Sequence, residues 1–422
     1  MTWLLLACAP ATQELGGAPR ERRAGEGGDG SETDTSVDGA PDTGEEDGEG
    51  DDRAEWTVMV FLNGDNDLER WALVDLNEME AAGESDRVHV VVQLDRSDGF
   101  DTSDGDWVGT RRYRVRGDGD RNVIRSELVE DLGAVDSGDP DAVVDFARWA
   151  AEAYPARRYA LVLWDHGNGW SLTTESATAK GVSWDYTTGN SISVARGELG
   201  ELLDDVTEAL RRPVDLLGMD ACLMQTWEIA WVAQPYARVY VASQDYEDVT
   251  GWAYDWTLAD LYAEPDMDAA SLGESIALRF HESADSTQSV LDLEALPALT
   301  DALDAFAASA LDAGQAGDVL SAAAPAQGFD GEWSRDHDLA DLFEHLSLAD
   351  AAATSAADLA LARLSDVVLA NYTMGESVRD AHGLSIFSPV DGEVPDLYLD
   401  APWSEETLWD DLIVAAGRGR GQ

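Results

Sequence analysis

Short apolar runs alternating with segments of helical period constrain this chain more than any other feature. Thr57 to Leu62 reads TVMVFL, His89 to Leu94 HVVVQL, Tyr159 to Trp164 YALVLW, Asp215 to Met219 DLLGM and Val239 to Ser243 VYVAS. These runs are apolar at most positions, not at every second one, as expected of strands buried on both faces. Helices predicted after Glu69, Asp139, Arg196 and Met224 supply the covers. Strand and helix in succession give an α/β fold with a mostly parallel central sheet between helical layers. Between Trp107 and Asp131 the pattern changes to alternation around a Gly-Asp-Gly turn, which predicts a hairpin inserted in that sheet. Beyond about Thr257 the pattern is mainly helical, with Ala-rich segments to Asn371. Further strands are expected at Ser289 to Leu293 and Gly383 to Phe387, the latter returning to the core.

The chain has 422 residues, 44% of them apolar, and 15 tryptophans, ample material for such a core. Its 85 acidic against 27 basic side chains give a formal net charge of -58, which repels phosphate backbones and excludes nucleic acid as a partner. No stretch reaches the roughly eighteen uninterrupted apolar residues of a membrane helix. Membrane contact is therefore expected by a lipid anchor only. The anchor is expected at Cys8, where Leu5-Leu6-Ala7-Cys8 closes a short apolar run and resembles a lipobox. On this reading residues 1–8 are a truncated lipoprotein-type signal. Residues 9–54 are Gly-, Asp-, Glu-, Ser-, Thr- and Pro-rich and lack aromatics, as in a disordered acidic tether. Residues 55–256 form the expected catalytic core, and 257–422 the mainly helical C-terminal region. The protein is expected to be an extracytoplasmic monomer, a bacterial cell-envelope lipoprotein or, as second choice, secreted.

Two strand ends are chemically loaded. YALVLWDHGNGW delivers Asp165, His166 and Gly167, and VDLLGMDACLM delivers Asp220 and Cys222. In open parallel sheets, ligands bind at the carboxyl ends of the strands, so an imidazole and a thiol from two strands can meet there. An imidazole beside a thiol favours the thiolate, the nucleophilic form. The start of a helix near Met224 would stabilise it further. Gly167 lets backbone N–H groups approach closely, which suits an oxyanion hole made with the Cys222 N–H. A buried, inert Cys222 and a turn-capping His166 are the plainer alternatives.

These blocks, together with WTVMVFLNGDNDLE, GVSWDYTTGNSISVARGEL, VASQDYEDVTGWAYDWTLADL and HGLSIFSP, resemble the clostripain family of cysteine endopeptidases, whose fold is a caspase-like α/β/α sandwich. The resemblance implies a His166/Cys222 dyad, with an acyl-enzyme formed on Cys222. It implies that Asp220 lies in the primary specificity pocket, selecting Arg and less readily Lys. Asp165 is expected to be structural. The resemblance also singles out Lys180, the only lysine in the chain, for self-cleavage of a zymogen, with Arg196 as second candidate. Two other readings are a non-catalytic surface lipoprotein that binds peptides or partners with this fold, and a transpeptidase or ligase using the same acyl-enzyme. No residue spacing matches a metal centre. NGDNDLE at Asn63 to Glu69 and the SQDYEDV run offer oxygen ligands without EF-hand spacing, so no cofactor is required and calcium stays an option. His337 and His345, eight apart on a predicted helix, read as a wet face.

Overall fold

The computed structural model describes residues 53–170, 181–329 and 335–420. The expectations for the Cys8 signal, for the tether up to residue 52 and for Lys180 lie outside the described residues. The strands are β1 (Ala54–Gly64), β2 (Val88–Arg96), β3 (Gly109–Arg114), β4 (Glu127–Gly133), β5 (Ala156–Trp164), β6 (Val214–Asp220), β7 (Ala237–Ala242), β8 (Thr287–Asp292), β9 (Asp336–Asp338), β10 (Val368–Thr373) and β11 (Ser385–Phe387). Nine of them form one sheet in the order β10-β8-β7-β6-β5-β1-β2-β3-β4. The central five, β2-β1-β5-β6-β7, run parallel. The apolar runs are buried on both faces, as read from the sequence. Met59 and Phe61 of β1 pack with the helices Pro140–Ala153 and Glu198–Leu210, while Val58, Val60 and Leu62 pack with Glu69–Ala81, Tyr254–Ala263 and Ala269–Ser283. The chain leaves β1 to build β2, β3 and β4 on one side and then returns to build β5, β6 and β7 on the other. The crevice between the carboxyl ends of β1 and β5 is therefore the switch point of the sheet.

Three strand expectations differ from the structure. The hairpin β3–β4 closes the edge of the sheet and is not inserted in it, because every residue of β4 is exposed or half-exposed, and such a strand has no place between buried neighbours. The segment read as helical to Asn371 changes at Val368, where the helix Ala351–Val367 gives way to VLANYT. This run pairs antiparallel with β8 as the other edge strand. The strand 385–387 pairs with β9 outside the main sheet, since β8 already occupies the free edge of β7. It still reaches the core, because Ser385 N–H donates to Gln225 O at 3.1 Å. His337 and His345 share no helix: His337 is buried in β9 with Nδ1 3.0 Å from Ser388 Oγ, and His345 follows the helix Leu339–Glu344.

Glu228, in the helix Trp227–Ala233, anchors this C-terminal region from inside the core. Its Oε1 accepts from Phe387 N at 3.0 Å and from Tyr398 Oη at 2.9 Å, and the side chain is fully buried. Burial first, and the negative Asp336 second, push its carboxyl up to about 8 from 4.5. The folded protein then holds a proton that the unfolded chain has lost, so stability declines as pH rises from about 5 to 8. Glu228→Gln keeps the acceptor and removes the titration. Its Tm is expected to exceed that of the wild type at pH 8, with the gap shrinking toward pH 5; a constant gap in thermal melts across that range would refute this account.

Candidate active site

The site is built where β5 and β6 end side by side. Trp164 lies opposite Asp220 in register, and Asp165 N–H donates to Asp220 O at 3.2 Å. Two residues further along each chain stand His166 and Cys222, 5% and 1% exposed. The two backbones touch at this point. A Cβ on Gly167 would lie 2.3 Å from Cys222 O and 2.9 Å from Cys222 N, so only glycine fits. Leu223, next to the cysteine, takes the left-handed conformation at φ +64°, an uncommon one for leucine. Its side chain is held against Phe329, Val378 and Ala381, and its N–H donates to Asp245 O at 3.2 Å. The thiol does not sit at a helix start, as the sequence suggested. The helix begins at Trp227, capped by Thr226, so its dipole does not act on the sulfur directly. Glu247 N–H donates to Cys222 Sγ at 3.3 Å.

His166 is held from three sides. Asp67, on the loop after β1, places Oδ1 2.8 Å from His166 Nε2, and this contact draws the Asp67 carboxyl below its usual range. Tyr186 stacks on the imidazole at 6.4 Å between centroids and 7° between planes, and Trp184 lies at 5.3 Å. With Nε2 engaged, Nδ1 is the ring nitrogen left buried without a hydrogen-bond partner among the described residues. Asp165 points away into a polar bracket, accepting from Asn66 Nδ2 at 2.7 Å, Asn63 Nδ2 at 3.2 Å and Trp184 N. Burial pushes its carboxyl up to about 7. It fastens the loop after β1 to the segment 183–186.

Beside Cys222 opens a pocket lined by Leu68, Trp164, Asp220, Glu247, Val249 and Gly251 among others. Asp220 Oδ2 accepts from Tyr254 Oη at 2.8 Å and from Trp252 N at 3.3 Å. Burial raises its carboxyl to about 6. Glu247 and Asp75 are raised well above the usual carboxylate range, by burial first and by the charge of Asp220 second. Asp75 stands behind the pocket, with Oδ2 2.6 Å from Trp164 Nε1. Gly251, at φ +58°, lets the loop cross these carboxylates, since a Cβ there would come within 2.9 Å of Asp75 and 3.3 Å of Asp220. Among the described residues no basic side chain pairs with Asp75, Asp220 or Glu247. Asp75 Oδ1 and Glu247 Oε2 have no hydrogen-bond partner among the described residues. Three buried carboxylates without a counter-charge make a cavity that favours a cation.

Of the residues singled out in the sequence, Gly167 lies against the Cys222 backbone, and Cys222 and Asp220 line one pocket. The sequence assigned no role to Asp67, Tyr186, Glu247 or Asp75. Asp67 and Glu247 fall in the two acidic runs read as oxygen-ligand loops, where nothing in the spacing separates one carboxylate from the next. Trp252 is 2% exposed and packs on Gly218 inside the sheet layer.

Residues 60–415 match the model of the clostripain family, Peptidase C11. A segment of 220 residues is 29% identical to clostripain from Hathewaya histolytica; it spans 47% of this chain and 40% of that protein. The fold is similar to that of a secreted C11 cysteine protease from Bacteroides thetaiotaomicron in complex with an irreversible peptide inhibitor, with a TM-score of 0.64 and 21% identity over 85% of this chain and all of the other. An inactive zymogen C11 protease from Parabacteroides distasonis is similar at a TM-score of 0.65 and 18% identity over 84% and 98% of the two chains. The caspase-like α/β/α sandwich expected from the sequence is thus the architecture observed. With the family model matched along nearly the whole described chain, this protein belongs to the clostripain family of cysteine endopeptidases.

Proposed function

We propose that the protein is a cysteine endopeptidase that cleaves after Arg, and less readily after Lys, through a thioester on Cys222. The observation that carries this reading is the pocket beside Cys222, floored by Asp220 and Glu247 with Asp75 behind them and no basic side chain to neutralise them. A guanidinium supplies the missing charge and a planar fork of donors, which suits it better than the point charge of a lysine.

In this mechanism the Cys222 thiol gives its proton to His166, and its sulfur attacks the scissile carbonyl carbon and forms an S–C bond. The C–N bond breaks, and His166 gives a proton to the leaving amine. A water then attacks the thioester, losing a proton to His166; the S–C bond breaks, the carboxylic acid product leaves, and the proton passes from His166 to the Cys222 sulfur. Asp67 holds Nε2, so Nδ1 is the nitrogen assigned to carry the proton. The N–H groups of Gly167 and Cys222, on backbones in contact, are assigned to the developing oxyanion. The same reading extends to lipidation at Cys8, to action outside the cytoplasm as a monomer, and to self-cleavage at Lys180 of a zymogen. The relatives described as secreted and as an inactive zymogen support the location and the processing.

Fluorogenic peptides with Arg, Lys or a neutral residue before the scissile bond, assayed with a reductant, test the reading. Cleavage after Arg that is lost in Cys222→Ala is expected; no cleavage by the wild type would overturn it. Asp220→Asn is expected to lower kcat/KM for Arg peptides roughly 100-fold, while thiol labelling is retained. The pH dependence follows from the raised carboxyl. Below about 6 Asp220 takes up a proton and no longer pairs with a guanidinium, so KM for Arg peptides should rise as pH falls through that value, and the rise should vanish in Asp220→Asn. Asp67→Asn is expected to lower kcat about ten- to a hundredfold with KM little changed, because it loosens the imidazole without touching the pocket. Equal losses in KM would place Asp67 in substrate binding instead.

A further inference from the structure

Two aromatic rings stand half open to solvent beside His166, and the chemistry above makes no use of their exposed faces. Tyr186 is 44% and Phe100 49% exposed. The two rings meet edge to face, 6.2 Å between centroids and 72° between planes, and Tyr186 lies in turn against the imidazole. His166, Tyr186 and Phe100 thus form a row.

Both rings are held firmly by the structure beneath them. The pair Arg96–Glu69, its side chains wholly shielded from water, grips the residue after Phe100: Glu69 Oε2 accepts from Asp101 N at 2.6 Å, and Arg96 Nη2 donates to Asp101 O at 2.9 Å. Tyr186 N–H donates to Asp65 O at 2.8 Å, and Thr187 Oγ1 donates to Asp65 Oδ1 at 3.0 Å. The Tyr186 hydroxyl hydrogen-bonds the same Asp67 carboxylate that holds the imidazole. Apolar faces fixed in place and left in water gain free energy when a second apolar group covers them.

The layout of the sheet separates these rings from the pocket beside Cys222. Asp220 and Glu247 belong to the ends of β6 and β7, and neither ring lines their pocket. Phe100 follows β2, so in the order β7-β6-β5-β1-β2 the strand that leads to His166 lies between the pocket and Phe100.

We propose that Tyr186 and Phe100 form the subsite for the residue directly after the scissile bond and select a large apolar side chain there, aromatic or leucine-like. This inference rests on the peptidase reading, because protonation of the leaving amine by His166 is what brings that residue to the rings. The residue before the bond fills the acidic pocket, and the leaving half of the substrate departs past the imidazole, on the side of Tyr186. Successive Cα atoms are only about 3.8 Å apart, so the first residue of the leaving half is the one within reach of a ring 6.4 Å from the imidazole. An aromatic side chain gains ring contacts as well as burial. Acidic side chains are disfavoured, because Asp67 is bonded to Tyr186 and Asp101 follows Phe100.

Internally quenched peptides that share Arg before the scissile bond and differ only in the next residue, as Phe, Leu, Gly, Asp or Lys, test the assignment on the full chain with a reductant present. For the wild type, kcat/KM is expected to be about tenfold higher with Phe or Leu than with Gly, and lower with Asp than with Gly. Phe100→Ala should bring the Phe-to-Gly ratio below about threefold, and Phe100→Leu should restore most of it. The ratio is taken within one preparation, so any misfolded fraction cancels. Three results overturn this inference alone: Phe and Gly peptides cut by the wild type at equal rates, a Lys peptide cut as fast as the Phe peptide, or a ratio in Phe100→Ala equal to that of the wild type. Absence of cleavage of every peptide removes the peptidase reading and this inference with it.

Discussion

The approach of two backbones, at Gly167 and Cys222, governs the rest of the site. Adjacent parallel strands lie about 4.8 Å apart while their hydrogen bonds last. Here the contact persists past the last paired residues of β5 and β6, to a distance at which no side chain fits between them. That closeness brings the segments that carry His166 and Cys222 onto one edge of the sheet. It is held in place by strands buried on both faces, in a close-packed interior that resists small displacements.

Around this contact the protein gathers acidic groups that no basic side chain pairs with among the described residues. Asp75, Asp220 and Glu247 gather under one pocket, and Asp65, Asp95 and Asp185 beside another part of the same edge. Desolvation is the largest cause of the raised carboxyl affinity for protons at five of these six positions. The cost of burying such groups is normally offset by basic partners. The arginines are spent elsewhere: Arg96 on Glu69, Arg112 on Gln93, Glu130 and Asp145, Arg279 on Asp260 and Glu282. The two acidic groups are thus features of particular cavities and not a by-product of an acidic composition, most of which lies at the surface.

How much of this the sequence discloses depends on whether burial leaves a pattern. The central strands are legible because a strand covered on both faces must be apolar almost throughout. His166 and Cys222 stand out because each lies two residues past the end of such a run, behind Asp165 and Asp220. β4 was harder to place, because an exposed edge strand carries no such signature and ELVEDLG states only that it is not covered. Val368–Thr373 was missed because an Ala-rich helix runs directly into it without a glycine or proline to mark the change. Asp67 and Glu247 were invisible as individuals: each stands among other acids within a few residues, and only the folded loop decides which one meets an imidazole or a pocket.

The His166–Asp67 contact spans 99 residues of chain, and the two partners lie on either side of the switch point. Glu247, which meets the sulfur, arrives only after β7 has been laid beside β6. None of these residues is local to another in sequence, so forming the site means closing several long loops before the contacts that reward it exist. The imidazole therefore has no partner until β1 and β5 lie side by side, and a chain in which they do not carries these groups as separate, unorganised side chains.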